Sequence, residues 1–127
     1  RVVRLGSNSF YGEGTIMKKE LLSAMLISAL VSPLAIADAV KQGKEIAWSR
    51  KKGNCLTCHM MDDGQQTGNS GPPLMAMKAR YPDRAMLRQQ IWDPTKRNPL
   101  TNMPPFGRNK ILTEAEIDAV VDYLYSL

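Results

Sequence analysis

The residues Cys55-Leu56-Thr57-Cys58-His59 hold two thiols three positions apart, followed at once by the chain's single histidine. Thiols at that spacing lie one helical turn from each other and can reach the two vinyl groups of one porphyrin. The histidine that follows projects beneath the ring, where its imidazole can bind iron. This C-x-x-C-H pattern is the attachment signature of c-type haem. A thioredoxin-type C-x-x-C expects a βαβ context, and the sequence carries no strand pattern. A structural disulfide between Cys55 and Cys58 would suit an exported protein but leaves His59 without a role.

Composition narrows the remaining choices. The chain has 127 residues, 17 Lys and Arg against 12 Asp and Glu, and a formal charge of +5. That length allows one domain, or one domain and a processed segment. A charged fraction of 23% is ordinary for a globular chain and excludes a wholly disordered one. Two cysteines and one histidine are too few for a four-ligand zinc site of the usual kind. The modest positive surplus gives no reason to expect nucleic acid as a partner.

Upstream of the motif, Met17-Lys18-Lys19 opens a three-part pattern. An apolar stretch follows from Leu21 to Ile36, and Ala35-Ile36-Ala37 supplies the A-x-A step that signal peptidase reads. The stretch is shorter than the ~20 residues a spanning helix needs. We therefore expect residues 17–37 to be a signal peptide cut after Ala37, with periplasmic export and no stable membrane anchor. Position 38 is Asp rather than Cys, which argues against a lipid anchor at this cut. Residues 1–16 contain no methionine and no sustained periodicity. They read as over-extended upstream translation, the purine-rich codons of Gly12-Glu13-Gly14 standing where a ribosome-binding site would.

Residues 38–127 are then the working domain. A chain of about 90 residues buries only about 60–65% of its unfolded surface, so a large apolar cofactor would enlarge its core. Asp38 is a candidate cap for a helix reaching about Ser49, and Gly43 inside it is costly unless another backbone packs there. Gly53-Asn54 ends this element. Asp62 to Pro73 reads as a surface loop. A helix from about Asp83 to Trp92 places Leu87 and Ile91 on one face, and Pro94 stops it. Lys96 to Lys110 is a Pro- and Asn-rich loop. Thr113 and Glu116 make a capping box. After it Ile117, Val120, Val121, Leu124 and Leu127 form an apolar stripe at helical spacing. The predicted fold is all-α, short helices and long loops wrapped around one covalent haem.

A second axial ligand cannot be histidine, because there is no second histidine. The methionines of the domain are Met60, Met61, Met75, Met77, Met86 and Met103. Met60 and Met61 are tied to the side of His59, and Met86 reads as a core residue of its helix. Met75 and Met77 stay open. Met103 is preferred, because Asn102-Met103-Pro104-Pro105-Phe106 lies in a loop stiffened by two prolines. A His/Met pair raises the reduction potential, closes the iron to oxygen and leaves one-electron transfer as the available chemistry. A haem sensor or peroxidase would need a labile sixth ligand.

These residues resemble a class I cytochrome c over nearly all of 38–127. Within that class they are most similar to the SoxX subunit of the SoxAX sulfur-oxidation cytochrome. The narrower likeness rests on Gly53-Asn54-Cys55-Leu56-Thr57-Cys58-His59 and on Met103-Pro104-Pro105-Phe106-Gly107-Arg108-Asn109. Ile111-Leu112-Thr113 leading into the last helix adds to it. The resemblance implies that Gly43 lies where the first and last helices cross, opposite Tyr123 and Leu124. It also implies that Gly71-Pro72 is the turn whose carbonyl accepts a hydrogen bond from His59, with Pro73 as the alternative acceptor. The implied cofactor-binding set is Cys55, Cys58, His59, Met103 and Pro72, with His59 and Met103 on the metal and no catalytic residue. The implied partners are a larger haem-bearing SoxA-type subunit and a downstream soluble cytochrome c. In that setting the chain takes electrons released when thiosulfate is coupled to a carrier-protein cysteine. The competing expectation is a free carrier feeding a terminal oxidase.

Arg50, Lys51 and Lys52 precede the motif, and Lys78, Arg80, Arg84 and Arg88 follow it. They read as a solvated face or as a basic rim for an acidic partner. Arg108 and Asn109 are candidate interface residues. Trp48 and Trp92 read as core, with Trp92 a possible donor to a haem propionate.

Overall fold

Helix α1 runs over Pro33–Trp48 and helix α4 over Glu114–Leu124, and among the described residues their crossing is the largest contact between elements. The protein is seen here in a computed structural model that describes residues 33–127. The expected upstream extension and residues 17–32 of the expected signal peptide lie outside those residues. Gly43 makes the crossing possible. A Cβ there would sit 2.6 Å from the carbonyl carbon of Ala119 and 2.8 Å from Tyr123 Cβ, too close for any side chain. The crossing therefore centres on Ala119 and Tyr123, one turn of α4, rather than on Tyr123 and Leu124. Trp48 Nε1 donates to the Tyr123 hydroxyl at 3.1 Å and closes its far end.

Asp38 does not cap α1. The helix has already begun at Pro33, so in the uncut chain Asp38 lies within it. Proline suits such a start, since its fixed φ and missing N–H cost nothing in a first turn.

Helix α2 is a single turn, Met77–Arg80, and helix α3 spans Arg84–Trp92. Asp83 caps α3 by accepting the Ala85 N–H at 2.8 Å. Leu87 and Ile91 are buried, as the apolar spacing predicts, and Asp93 takes over as the last turn ends before Pro94. Met86 corrects an expectation. It is 47% exposed rather than core, because it lies about 100° around the helix from Leu87.

Helix α4 carries the capping box in full. Thr113 Oγ1 accepts the Glu116 N–H at 3.2 Å and the Glu116 carboxylate accepts the Thr113 N–H at 2.9 Å. Ile117, Val120, Val121 and Leu124 are buried, joined by Ala119 and Tyr123, while Leu127 is partly buried. On its polar face Asp118, Asp122 and Glu114 meet α3. Arg84 Nη2 lies 2.8 Å from Asp122, Arg88 Nε 2.8 Å from Asp118 and Arg88 Nη2 3.0 Å from Glu114. Two of the basic residues that read as a solvated face or a basic rim, Arg84 and Arg88, instead pair two helices together.

The described residues contain no strand, only an isolated parallel bridge between Met61 and Leu74. Two short 3₁₀ turns, Cys55–Thr57 and Pro94–Lys96, interrupt the long loops. The fold is the all-α class I cytochrome c arrangement.

Candidate functional site

The chain turns sharply before the thiols. Asn54 has φ 48° and ψ 34°, a left-handed conformation that asparagine tolerates better than most residues. From there Cys55–Thr57 forms one 3₁₀ turn, and the His59 N–H donates to the Cys55 carbonyl at 2.9 Å. Cys55 and Cys58 are both free thiols, half-buried. Burial pushes the Cys55 thiol up to about 11, so it stays protonated at neutral pH.

His59 is held by the turn that follows the surface loop. Its Nδ1 lies 2.7 Å from the Pro72 carbonyl oxygen, so Nδ1–H donates and Nε2 is left with its lone pair for a metal. Gly71 allows this approach. A Cβ at that position would come within 2.6 Å of Nδ1, inside the ring's own space. The Gly71 N–H in turn donates to the Cys58 carbonyl at 2.8 Å. The neighbouring Pro73 carbonyl is taken by Arg80 Nη1 at 2.6 Å. The two prolines thus serve different donors, and Arg80 is a site residue that charge alone did not single out.

Cys55, Cys58, His59, Pro72 and Met103 line one cavity of about 720 Å³. That size lies within the ~300–1,000 Å³ typical of small-molecule and cofactor sites. Its deeper wall is apolar, built by Leu87 and Ile91 of α3, Val120 and Leu124 of α4, and Phe106 and Leu112. Arg50, Lys52 and Arg80 contribute to the wall, and among the described residues no carboxylate does. Lys52 is paired with Glu116, while Arg50 and Arg80 have no carboxylate partner among the described residues. Paired thiols, a metal-ready imidazole, apolar walls and these two guanidinium groups fit a covalent haem with anionic propionates.

The methionines separate cleanly. Met103 and Met77 line the cavity; Met60, Met61, Met75 and Met86 do not. Met61 is a buried core residue beside Leu74, and Met60 and Met75 are more than half exposed. Met77 is 2% exposed, its sulfur accepting from Arg80 Nη1 at 3.5 Å. Met103 is half-buried, and its backbone N–H donates to Thr101 Oγ1 at 3.1 Å.

Beyond Met103 the loop is tied to α3. The Gly107 and Arg108 N–H groups both donate to the Trp92 carbonyl, at 3.1 and 3.2 Å. Arg108 Nη1 pairs with Asp93 at 3.0 Å, and Asp93 is only 3% exposed. The Thr95 hydroxyl and the Arg108 guanidinium hold the Asp93 carboxyl below its usual range. Arg108 is thus a loop anchor in this structure, and Trp92 does not line the cavity.

A family model described as "Cytochrome C oxidase, cbb3-type, subunit III" matches residues 38–124. Among curated proteins, an "Uncharacterized lipoprotein" of Aquifex aeolicus (strain VF5) is 37% identical over 76 residues. That alignment covers 59% of this chain and 37% of the relative, so the chain corresponds to little more than a third of it.

Proposed function

The chain belongs to the cbb3-type cytochrome c oxidase subunit III family of c-type cytochrome domains, and from that premise we propose the residues, partners and setting of its electron transfer. Cys55 and Cys58 would hold one haem, and His59 and Met103 would supply the ligands of its iron. The observation that carries this reading is the cavity itself, which brings both thiols, the Nδ1-anchored His59 and the Met103 loop to one space. When bound, haem supplies a one-electron iron couple.

The chain's residues do the rest. The Pro72 carbonyl fixes the tautomer and plane of the His59 ring. Met103 presents a soft thioether that favours the reduced state. The apolar wall keeps the site dry, which limits reorganisation when charge changes.

We infer further that this is the electron-transfer subunit of a thiosulfate-oxidising SoxAX-type complex. The segment Met103-Pro104-Pro105-Phe106-Gly107-Arg108-Asn109 supports that assignment. In the complex the chain takes electrons one at a time from a larger haem-bearing subunit and passes them to a soluble cytochrome c. No substrate chemistry takes place on this chain. The setting is periplasmic, after cleavage behind Ala37. The family match beginning at residue 38 and the lipoprotein name of the relative support export. A second reading, a carrier delivering electrons to a terminal oxidase, draws on the oxidase subunit named by the family model.

Two experiments test these statements. Oxidised protein with a Met–iron bond shows a weak long-wavelength charge-transfer band, which Met103→Ala should abolish and Met77→Ala should leave. The reverse pattern would move the ligand to Met77. Size-exclusion chromatography of native extract should find the haem chain with a larger cytochrome; migration alone would favour the free carrier.

A further inference from the structure

A second cavity, of about 450 Å³, lies at the end of α3 and shares no lining residue with the one that holds the thiols. Gln89, Trp92 and Asp93 form one side of it, and Thr95, Lys96 and Arg108 the other. Its base is fixed, because the Trp92 ring is packed against Gly107, which has no room for a side chain there, and against the Arg88 guanidinium, 5.5 Å from the ring centroid.

The cavity's acid is already matched. Asp93 is buried, with one carboxylate oxygen accepting from the Thr95 N–H and hydroxyl and the other from Arg108 Nη1 at 3.0 Å. Arg108 Nη1 also donates to the Thr95 hydroxyl, at 3.0 Å. One nitrogen of the guanidinium therefore carries all of these bonds. Its opposite edge, Nε and Nη2, has no hydrogen-bond partner among the described residues, and the side chain is half-exposed. Those two N–H groups run parallel and form the fork that receives two oxygens of one oxyanion. Lys96 is exposed on the same cavity and makes no ion pair among the described residues. With Asp93 offset by Arg108, its ammonium is charge in surplus. Gln89, also exposed there, adds an amide donor.

We propose that this cavity is a binding site for a small oxyanion of the sulfate or phosphate type, held by the free edge of Arg108 and the Lys96 ammonium. Lys96 opens the loop that carries Met103 and Arg108 lies near its end, so the bound oxyanion ties the two ends of that loop together. The site stands whether or not Met103 is an iron ligand. Cations in contact with water hold such an ion weakly, so occupancy follows its concentration in the surroundings and falls as other salts screen the charges.

The test titrates reduced, ¹⁵N-labelled holoprotein with sodium sulfate, and in parallel with sodium chloride at equal ionic strength. Sulfate should shift the Arg108 Nε–H and Trp92 indole N–H resonances along a saturating curve, and chloride should not. Lys96→Gln, which keeps the stem and removes the charge, should weaken sulfate binding several-fold. Lys78→Ala, which removes an equal charge from an exposed site outside the cavity, should leave the binding curve as it is. Shifts that the two salts cause alike, or that grow without saturating, would be screening only and would overturn the proposal. Equal weakening by both variants would trace binding to net charge rather than to this site, and would overturn it as well.

Discussion

The two sides of the cavity are built differently. On the His59 side, backbone hydrogen bonds join segments far apart in the local chain. Gly68 N–H reaches Leu56, Gly71 reaches Cys58 and Leu74 reaches Met60, each at 2.8 Å. His59 adds its own bond to Pro72. On the Met103 side the bonds are short-range. Leu100 and Thr101 donate back to Asn98, Met103 donates to Thr101, and the loop's backbone N–H groups reach α3 at Gly107 and Arg108. Cross-links between distant segments restrict a backbone more than contacts two or three residues apart. The histidine side is therefore a fixed floor, and the methionine side is a strap fastened beyond its middle. In such a site a Met103 thioether bound to iron would be the ligand to let go first.

The contrast can be broken most severely on the fixed side. Gly71→Ala puts a methyl group into the space of the His59 ring. We expect no stable haem incorporation on co-expression with a haem-attachment system, read as loss of the Soret absorbance per chain. Normal pigmentation would show that the floor can yield.

The strap should respond by degrees. Arg108→Ala leaves the buried Asp93 without its cation and frees one fastening of the loop. Haem should remain attached and His59 ligation intact, while the thioether exchanges with imidazole several-fold faster. An unchanged exchange rate would mean that the two backbone bonds to Trp92 hold the loop alone.

A change outside both regions serves as a control. Thr113→Ala removes the cap of α4, at about 1 kcal/mol. In a domain of this size that is roughly 4–8 °C in Tm. It should leave ligand exchange and potential as they were; movement of either would show that α4 is coupled to the strap.

The smallest expected effect concerns acid. Burial pushes the Asp118 carboxyl up, but Arg88 and Arg84 outweigh it and hold the group below its ordinary value. A depressed carboxylate contributes stability above its unfolded value, about 3.9, and that contribution is lost as pH falls through the folded value. Urea midpoints should decline as pH is lowered past about 4, and Asp118→Asn should flatten part of that decline. An identical acid profile in the variant would assign the loss to other carboxylates.

Much of the fold was legible in the sequence because its signals are local. The Thr113–Glu116 box and the stripe from Ile117 to Leu124 describe α4 almost to the residue, and Leu87 and Ile91 mark the inner face of α3. Gly43 announced a close crossing, though not the turn of α4 it meets. The rest depends on relations between distant residues. The pairs from Arg84 and Arg88 to α4 span separations of 26 to 38 residues, so those side chains read as free charge until the helices are placed. Helix α2 has no capping residue to reveal it, beginning after an Ala76 held at φ 50°. For the site, the motif and the methionine inventory narrowed the ligand candidates, while the ties from Arg80 to the Pro73 carbonyl and from Asp93 to Arg108 follow no motif that the sequence displays.

The most direct measurement is the mass of the purified, denatured protein after acid–acetone extraction, followed by peptide mapping. A covalent c-type site predicts that the pigment stays with the chain, that the mass exceeds the polypeptide's by a single haem, and that the peptide containing Cys55, Cys58 and His59 carries it. Two free thiols in that peptide, or pigment released into the solvent, would contradict the account.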